Sequence, residues 1–128
     1  MADTEKITIN LSVVDLGQID LLVRQGLYAN RTDLIRTAIR NQIDRHGDVL
    51  QQTIIRRTLA VGVIVYTRSE LEKHQARGEQ VEIRALGMVV IQNDVPPDLA
   101  RQTVKSIEVF GILSASDAVK EALADRIK

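Results

Sequence analysis

The 128-residue chain has no cysteine and no tryptophan, and only three aromatic residues: Tyr28, Tyr66 and Phe110. Without cysteine, disulfides and thiolate metal sites are excluded and the redox compartment stays open. With so few aromatics, any core must be built from valine, isoleucine, leucine and alanine. An excess of charge is missing as well, because 17 Lys+Arg balance 17 Asp+Glu. A nonspecific electrostatic binder of nucleic acid is normally basic. Affinity for a polyanion would therefore have to come from cations gathered on one face. No apolar run approaches the length of a membrane span. Ala2–Lys6 is polar and charged, unlike the start of a secretory leader,. The expectation is a soluble, cytoplasmic protein with no membrane partner.

Catalytic and metal-binding signatures are missing too. His46 and His74 are the only histidines, and no cysteine joins them. Gly62, Gly87 and Gly111 are isolated, without the clustered spacing of phosphate-binding loops,. No motif frames a nucleophile. The expectation is therefore no catalytic residue, no metal ligand, no cofactor and no enzyme activity.

What is present begins with a short alternating segment, Lys6-Ile7-Thr8-Ile9-Asn10-Leu11. Ile7, Ile9 and Leu11 face one way, and Lys6, Thr8 and Asn10 the other. A lone strand cannot satisfy its own backbone, and no second strand follows within reach. The same strand from another copy of the chain is the nearest solution. Such a two-stranded ribbon buries Ile7, Ile9 and Leu11 and presents Lys6, Thr8 and Asn10 twice over. A ribbon of this width fits the DNA major groove, where polar side chains read base edges. Lysine donates to guanine or phosphate, asparagine pairs with adenine, and threonine donates, accepts or touches a thymine methyl.

Two amphipathic helices follow. Ser12 is an N-cap candidate with Asp15 three residues on,. Val13, Leu16, Ile19, Leu22 and Val23 make the first apolar stripe,. Gly17 inside this helix suggests close helix packing, and Gly26 suits a left-handed cap,. Asn30 caps the second helix with Asp33, and Leu34, Ile35, Ala38, Ile39 and Ile43 supply its stripe. His46-Gly47-Asp48 ends it, with a short extension or linker to about Thr53.

Residues Ile7–Leu11, Gln18–Val23 and Gly26–Arg40, in this order and spacing, resemble the ribbon-helix-helix family, also called CopG-like or Arc/MetJ-like DNA-binding proteins. The resemblance covers roughly the first third of the chain. It implies an obligate, intertwined homodimer bound to double-stranded DNA, most often a repressor of transcription. It implies base contacts from Lys6, Thr8 and Asn10, and a DNA phosphate clamped at the start of the second helix by Asn30, Arg31 and Thr32, with Arg36 nearby. It places Ile7, Ile9, Leu11, Ile35 and Ile39 in the dimer core. Nickel-responsive members use several histidines and a cysteine in a second domain. This chain has neither, so metal sensing by that route is not expected. One feature departs from a simple DNA binder: residues 1–50 carry six basic and seven acidic side chains.

The pattern changes after Thr58. Leu59–Val65, Arg84–Val90 and Glu108–Ser114 are three strand-like segments, each with a central glycine. Gly62, Gly87 and Gly111 lie 25 and 24 residues apart. Helix-opening signals follow each segment, at Thr67-Arg68-Ser69-Glu70, at Pro96-Pro97-Asp98 and at Ser116-Asp117. Strand–helix units at a fixed period imply parallel strands joined by helical crossovers.

The expected fold is thus α+β. A ribbon-helix-helix domain over residues 1–50 precedes a small α/β domain of about three strand–helix repeats over residues 51–128. The second domain is expected to assemble dimers into tetramers or larger species, or to sense a small ligand or protein partner. Two other readings stay open. One is an antitoxin that represses its own operon. The other is a DNA-linked scaffold assembling through its C-terminal domain.

Overall fold

The structure, a computed structural model, describes residues 4–128. Ala2 and Asp3 of the polar opening segment lie outside them. The chain divides into two compact units, residues 1–52 and 53–128.

The first unit contains α1 (Val13–Arg24), α2 (Arg31–Arg45) and the start of α3 (Gly47–Arg57). Local chemistry sets its helix ends. Ser12 is extended and its Oγ accepts from the Asp15 amide at 3.1 Å, which satisfies one free N–H of the first turn,. Gly26, at φ +86°, carries the chain out of α1 in the left-handed region that glycine enters without strain,. Asn30 Oδ1 accepts from the Asp33 amide at 2.8 Å, and Asp33 Oδ2 accepts in return from the Ala29 amide at 2.9 Å. Two sequence expectations need correction. The stretch after His46 is a full helix of 11 residues running to Arg57, not a linker ending near Thr53. A Cβ placed on Gly17 would meet nothing within 4 Å, so this glycine marks no close packing within one chain.

Residues Lys6–Leu11 form no strand ladder within the chain and are exposed. The reason is topological, since the first unit offers no second strand to pair with. None of the three helices contains a buried residue.

The second unit is different. It runs β1 (Ala60–Tyr66), α4 (Arg68–Ala76), β2 (Val81–Ile91), α5 (Pro97–Thr103), β3 (Val104–Ser114) and α6 (Asp117–Ala122). The sheet is parallel, in the order β1-β2-β3. Caps again explain the helices. Thr67 Oγ1 accepts from the Glu70 amide at 3.1 Å, Ser116 Oγ from the Val119 amide at 3.2 Å, and Pro97 sits in the first turn of α5, where its missing N–H costs nothing,. One face of the sheet packs on the helices. Ile83, Ala85, Val89, Ile91 and Ile107 meet Leu71, Leu99, Val119 and Leu123 in a single buried cluster. Each leucine or isoleucine fully buried there contributes about 1.5–3 kcal/mol. The one buried polar side chain among the described residues, Thr103, donates its hydroxyl to the Leu99 carbonyl at 2.7 Å.

The strands are longer than their sequence pattern suggests. β2 starts at Val81 rather than Arg84, and β3 at Val104 rather than Glu108. Their first turns carry Glu82, Arg84, Lys105 and Glu108 on exposed or half-exposed positions, which hides the apolar alternation. Gly62, Gly87 and Gly111 fall opposite one another in register. All three have φ between +126° and +133°. A Cβ on Gly87 would lie 2.3 Å from the Gly62 carbonyl oxygen, and one on Gly111 would lie 2.0 Å from that of Gly87. Backbone meets backbone across this row, and only glycine fits. The repeat's uneven spacing is absorbed by a register shift between Val81 and Glu82.

The far edge of β3 is partly closed. The Ile107 amide donates to the Arg126 carbonyl at 2.9 Å, and the Lys128 amide to the Ile107 carbonyl at 2.8 Å. Arg101 holds this segment by donating to the Ala122 carbonyl and to Asp125. Arg126 in turn donates to the Arg101 and Val104 carbonyls.

Candidate nucleic-acid interface

The residues singled out for DNA contact all lie in the first unit. Lys6, Thr8 and Asn10 are exposed on the extended segment before α1, with no hydrogen bond or ion pair to another described residue. Their apolar neighbours are bare: Ile7 is 72% exposed, Ile9 60% and Leu11 42%. Ile39 on α2 is exposed as well, and Ile35 is half-buried. Alternation and helical spacing supply these five apolar side chains, but a single chain does not bring them together into a core.

The start of α2 gathers Asn30, Arg31 and Thr32. Asn30 is occupied as the cap. Arg31 is not free either: its Nε and Nη2 donate to the two oxygens of Asp20 at 2.7 and 2.8 Å. This forked pair, the strongest geometry available to a guanidinium and a carboxylate, holds the Asp20 carboxyl below its usual range. The same hydrogen bonds push Arg31 further up. Both side chains are about half exposed, so the pair orients Arg31 more than it stabilises the fold,. Asp20 is not legible in the sequence as part of this site, because the two residues sit 11 positions apart on different helices. No local periodicity links them.

Arg36 lies one turn further along α2. With Thr4, Glu5, Ile39, Arg40 and Ile43 it lines a shallow open groove beside the N-terminal segment. Two cations, Arg36 and Arg40, thus flank the apolar stripe of α2 close to the segment that carries Lys6. Clustering of this kind is what a chain of zero net charge needs in order to meet a polyanion. Among the described residues no group of His, Cys, Asp or Glu has the arrangement of a metal site. No described helix is long and apolar enough to cross a membrane.

Comparison with known proteins agrees with this architecture. A family model described as the ribbon-helix-helix transcriptional regulator family matches residues 2–120. Over 44 residues the chain is 32% identical to the transcriptional regulator CdrS of Halobacterium salinarum, a stretch that covers 34% of this chain and 80% of that protein. No solved structure matches. The two-helix unit with its capped turn, the unpaired segment before it and the match over almost the whole length place this chain in the ribbon-helix-helix family of DNA-binding transcriptional regulators.

Proposed function

We propose that the chain is a homodimeric, site-specific transcriptional repressor whose Lys6–Leu11 segments pair between two copies and enter the major groove of an inverted-repeat site. The observation that carries this reading is the state of the first unit. Its helices bury nothing, and Ile7, Ile9 and Leu11 stand in solvent beside an unpaired backbone. A unit of 52 residues without a core does not hold itself together,. Pairing two segments satisfies the backbone and covers Ile7, Ile9 and Leu11 with Ile35 and Ile39 of both chains. It also turns Lys6, Thr8 and Asn10 outward as base-contacting groups.

In this reading the α2 start receives a backbone phosphate on its free amides. Thr32 and Arg36 flank the phosphate, and Asn30 holds the turn. Arg31 reaches the phosphate while Asp20 fixes the direction of its guanidinium. The second unit, which has a core of its own, links or positions dimers along DNA. Linking two readers raises avidity without new base contacts. A folded, core-bearing second unit does not fit the disordered tail by which an antitoxin wraps its toxin.

Selecting bound sequences from random DNA tests the reading. A two-fold related motif is expected. Asn10→Ala should bind the selected site about 1–3 kcal/mol more weakly while keeping its nonspecific affinity. If Asn10→Ala matches wild type on that site, the ribbon does not read bases.

A further inference from the structure

The inference concerns the free edge of the sheet in the second unit, and it rests on the reading of that unit as an assembly element. Three observations meet at β1. The first is the glycine row. Gly87 and Gly111 are glycine because the backbone of the preceding strand stands where a Cβ would be. Gly62 shares their register and their positive φ, yet a Cβ there would meet nothing within 4 Å. A glycine inside a strand, at the cost of strand stability, marks a place where another backbone comes close. At Gly62 that neighbour is missing from the single chain.

The second observation is that the edge is undefended. Natural edge strands are blunted by lysine, proline, inward charge or a covering segment. β1 reads Ala-Val-Gly-Val-Ile-Val-Tyr, seven residues without a charge or a proline. The opposite edge carries such protection, with Lys105 and Glu108 along β3 and the Arg126–Lys128 segment bonded to Ile107.

The third observation is the gradient of exposure on the face turned away from the helices. Register sets Val61, Val63 and Val65 of β1 beside Leu86, Met88 and Val90 of β2. Val90, flanked by strands on both sides, is 6% exposed, whereas Val61, Val63 and Val65 are 65%, 48% and 41% exposed. A strand laid against β1 would cover the part of these valines that β2 leaves bare.

We propose that β1 pairs antiparallel with β1 of a second copy of this chain, joining two three-stranded sheets into one continuous sheet of six. The occupant is a second copy because the β3 edge is already engaged at Ile107, so the open, uncharged edge this chain offers is β1 itself. Two-fold pairing of β1 on β1 leaves neither copy with an open β1 edge, and it is the closed symmetry that homo-oligomers adopt most often. Val63 is the central residue of the strand. A two-fold axis beside it pairs all seven residues and places the two Val63 side chains next to each other on the apolar face.

The absence of cysteine from the chain makes the test direct. Full-length Val63→Cys should form a disulfide-linked pair under mild oxidation, because facing residues on antiparallel strands have Cα atoms about 4.5–5.5 Å apart, within disulfide range. Phe110→Cys, equally exposed at 48% on the same face but away from the edge, is the control and should link far more slowly. Val63→Lys sets two like charges opposite each other. It should weaken association through the second unit about tenfold or more, by lost apolar cover and repulsion, with amide protection of Ile83 and Val89 unchanged. Hydrogen exchange read separately at residues 6–11 and 60–66 keeps the two interfaces apart. Slow exchange at 60–66 that rises in rate on dilution supports the β1 pairing, whatever residues 6–11 show. Free exchange at 60–66, or Phe110→Cys linking as fast as Val63→Cys, overturns it and leaves the ribbon reading to stand or fall on residues 6–11.

Discussion

Replacing Gly111 with alanine should unfold the second unit selectively, and the size of the effect follows from the glycine row. Two costs add. At φ +128° an alanine is held in a region that L residues rarely occupy, which costs about 1–3 kcal/mol,. The new Cβ would also lie 2.0 Å from the Gly87 carbonyl oxygen, a backbone atom held by the sheet, so the ladder between β2 and β3 must open locally. Losing one or two ladder hydrogen bonds adds about 0.5–1.5 kcal/mol each. The total is about 2–5 kcal/mol, a large part of the stability of a small domain. Gly62→Ala is the internal reference, because it carries the same backbone strain at φ +126° with nothing in the chain for its Cβ to strike. The assay is urea unfolding followed by amide exchange at Ile83, Val89 and Ile107, which report this unit alone. With a slope of about 1–3 kcal/mol per molar urea, Gly111→Ala should lower the midpoint by about 1 M or more. In dilute protein Gly62→Ala should lower it distinctly less. Equal shifts for the two variants would show that strain alone matters and that the close backbone approach has no energetic weight.

The other predictions concern the first unit, the role of the second unit and the acid limb of stability. Ile9→Asp would put an unpaired carboxylate into the shared ribbon core, so dimer and helical structure should vanish together in sedimentation and circular dichroism. A folded monomer would refute the intertwined ribbon. A chain truncated after Gln52 should still dimerise but should bind a two-site DNA less cooperatively than the full chain. Equal cooperativity would remove assembly from the second unit's role. The Arg101 hydrogen bond holds the Asp125 carboxyl below its usual range. A carboxylate with a lowered folded-state pKa stabilises above its unfolded pKa and loses that stabilisation as pH falls through the folded value. Asp125→Asn should therefore flatten the loss of stability below about pH 4 while changing little at neutral pH, where the exposed pair is worth little. Parallel acid curves for wild type and variant would dismiss this pair from the fold's pH dependence.

Short-range chemistry makes much of this protein legible in the amino-acid sequence. Ser12, Asn30, Thr67 and Ser116 announce helix starts because a side-chain oxygen two or three residues ahead of a free amide is a local matter. Gly26 announces a helix end for the same reason. The period of Gly62, Gly87 and Gly111 announces three strands, because equal strand–helix units return the chain to the same level of a sheet. The alternation of Ile7, Ile9 and Leu11 likewise marks a segment that needs a partner strand. Tertiary structure decides the rest. The true starts of β2 and β3 are masked by Glu82, Arg84, Lys105 and Glu108, whose charges are tolerated only because that end of the sheet is exposed. Asp20 meets Arg31 across 11 residues and Arg57 meets Glu108 across 51, distances over which no periodicity speaks. The closing of the β3 edge at Ile107, which leaves β1 as the open one, depends on where Arg126 and Lys128 come to lie. Local propensity and spacing determine which elements form. Which edge, face or charge each element leaves unsatisfied is settled only when distant segments compete for the same backbone and the same side chains.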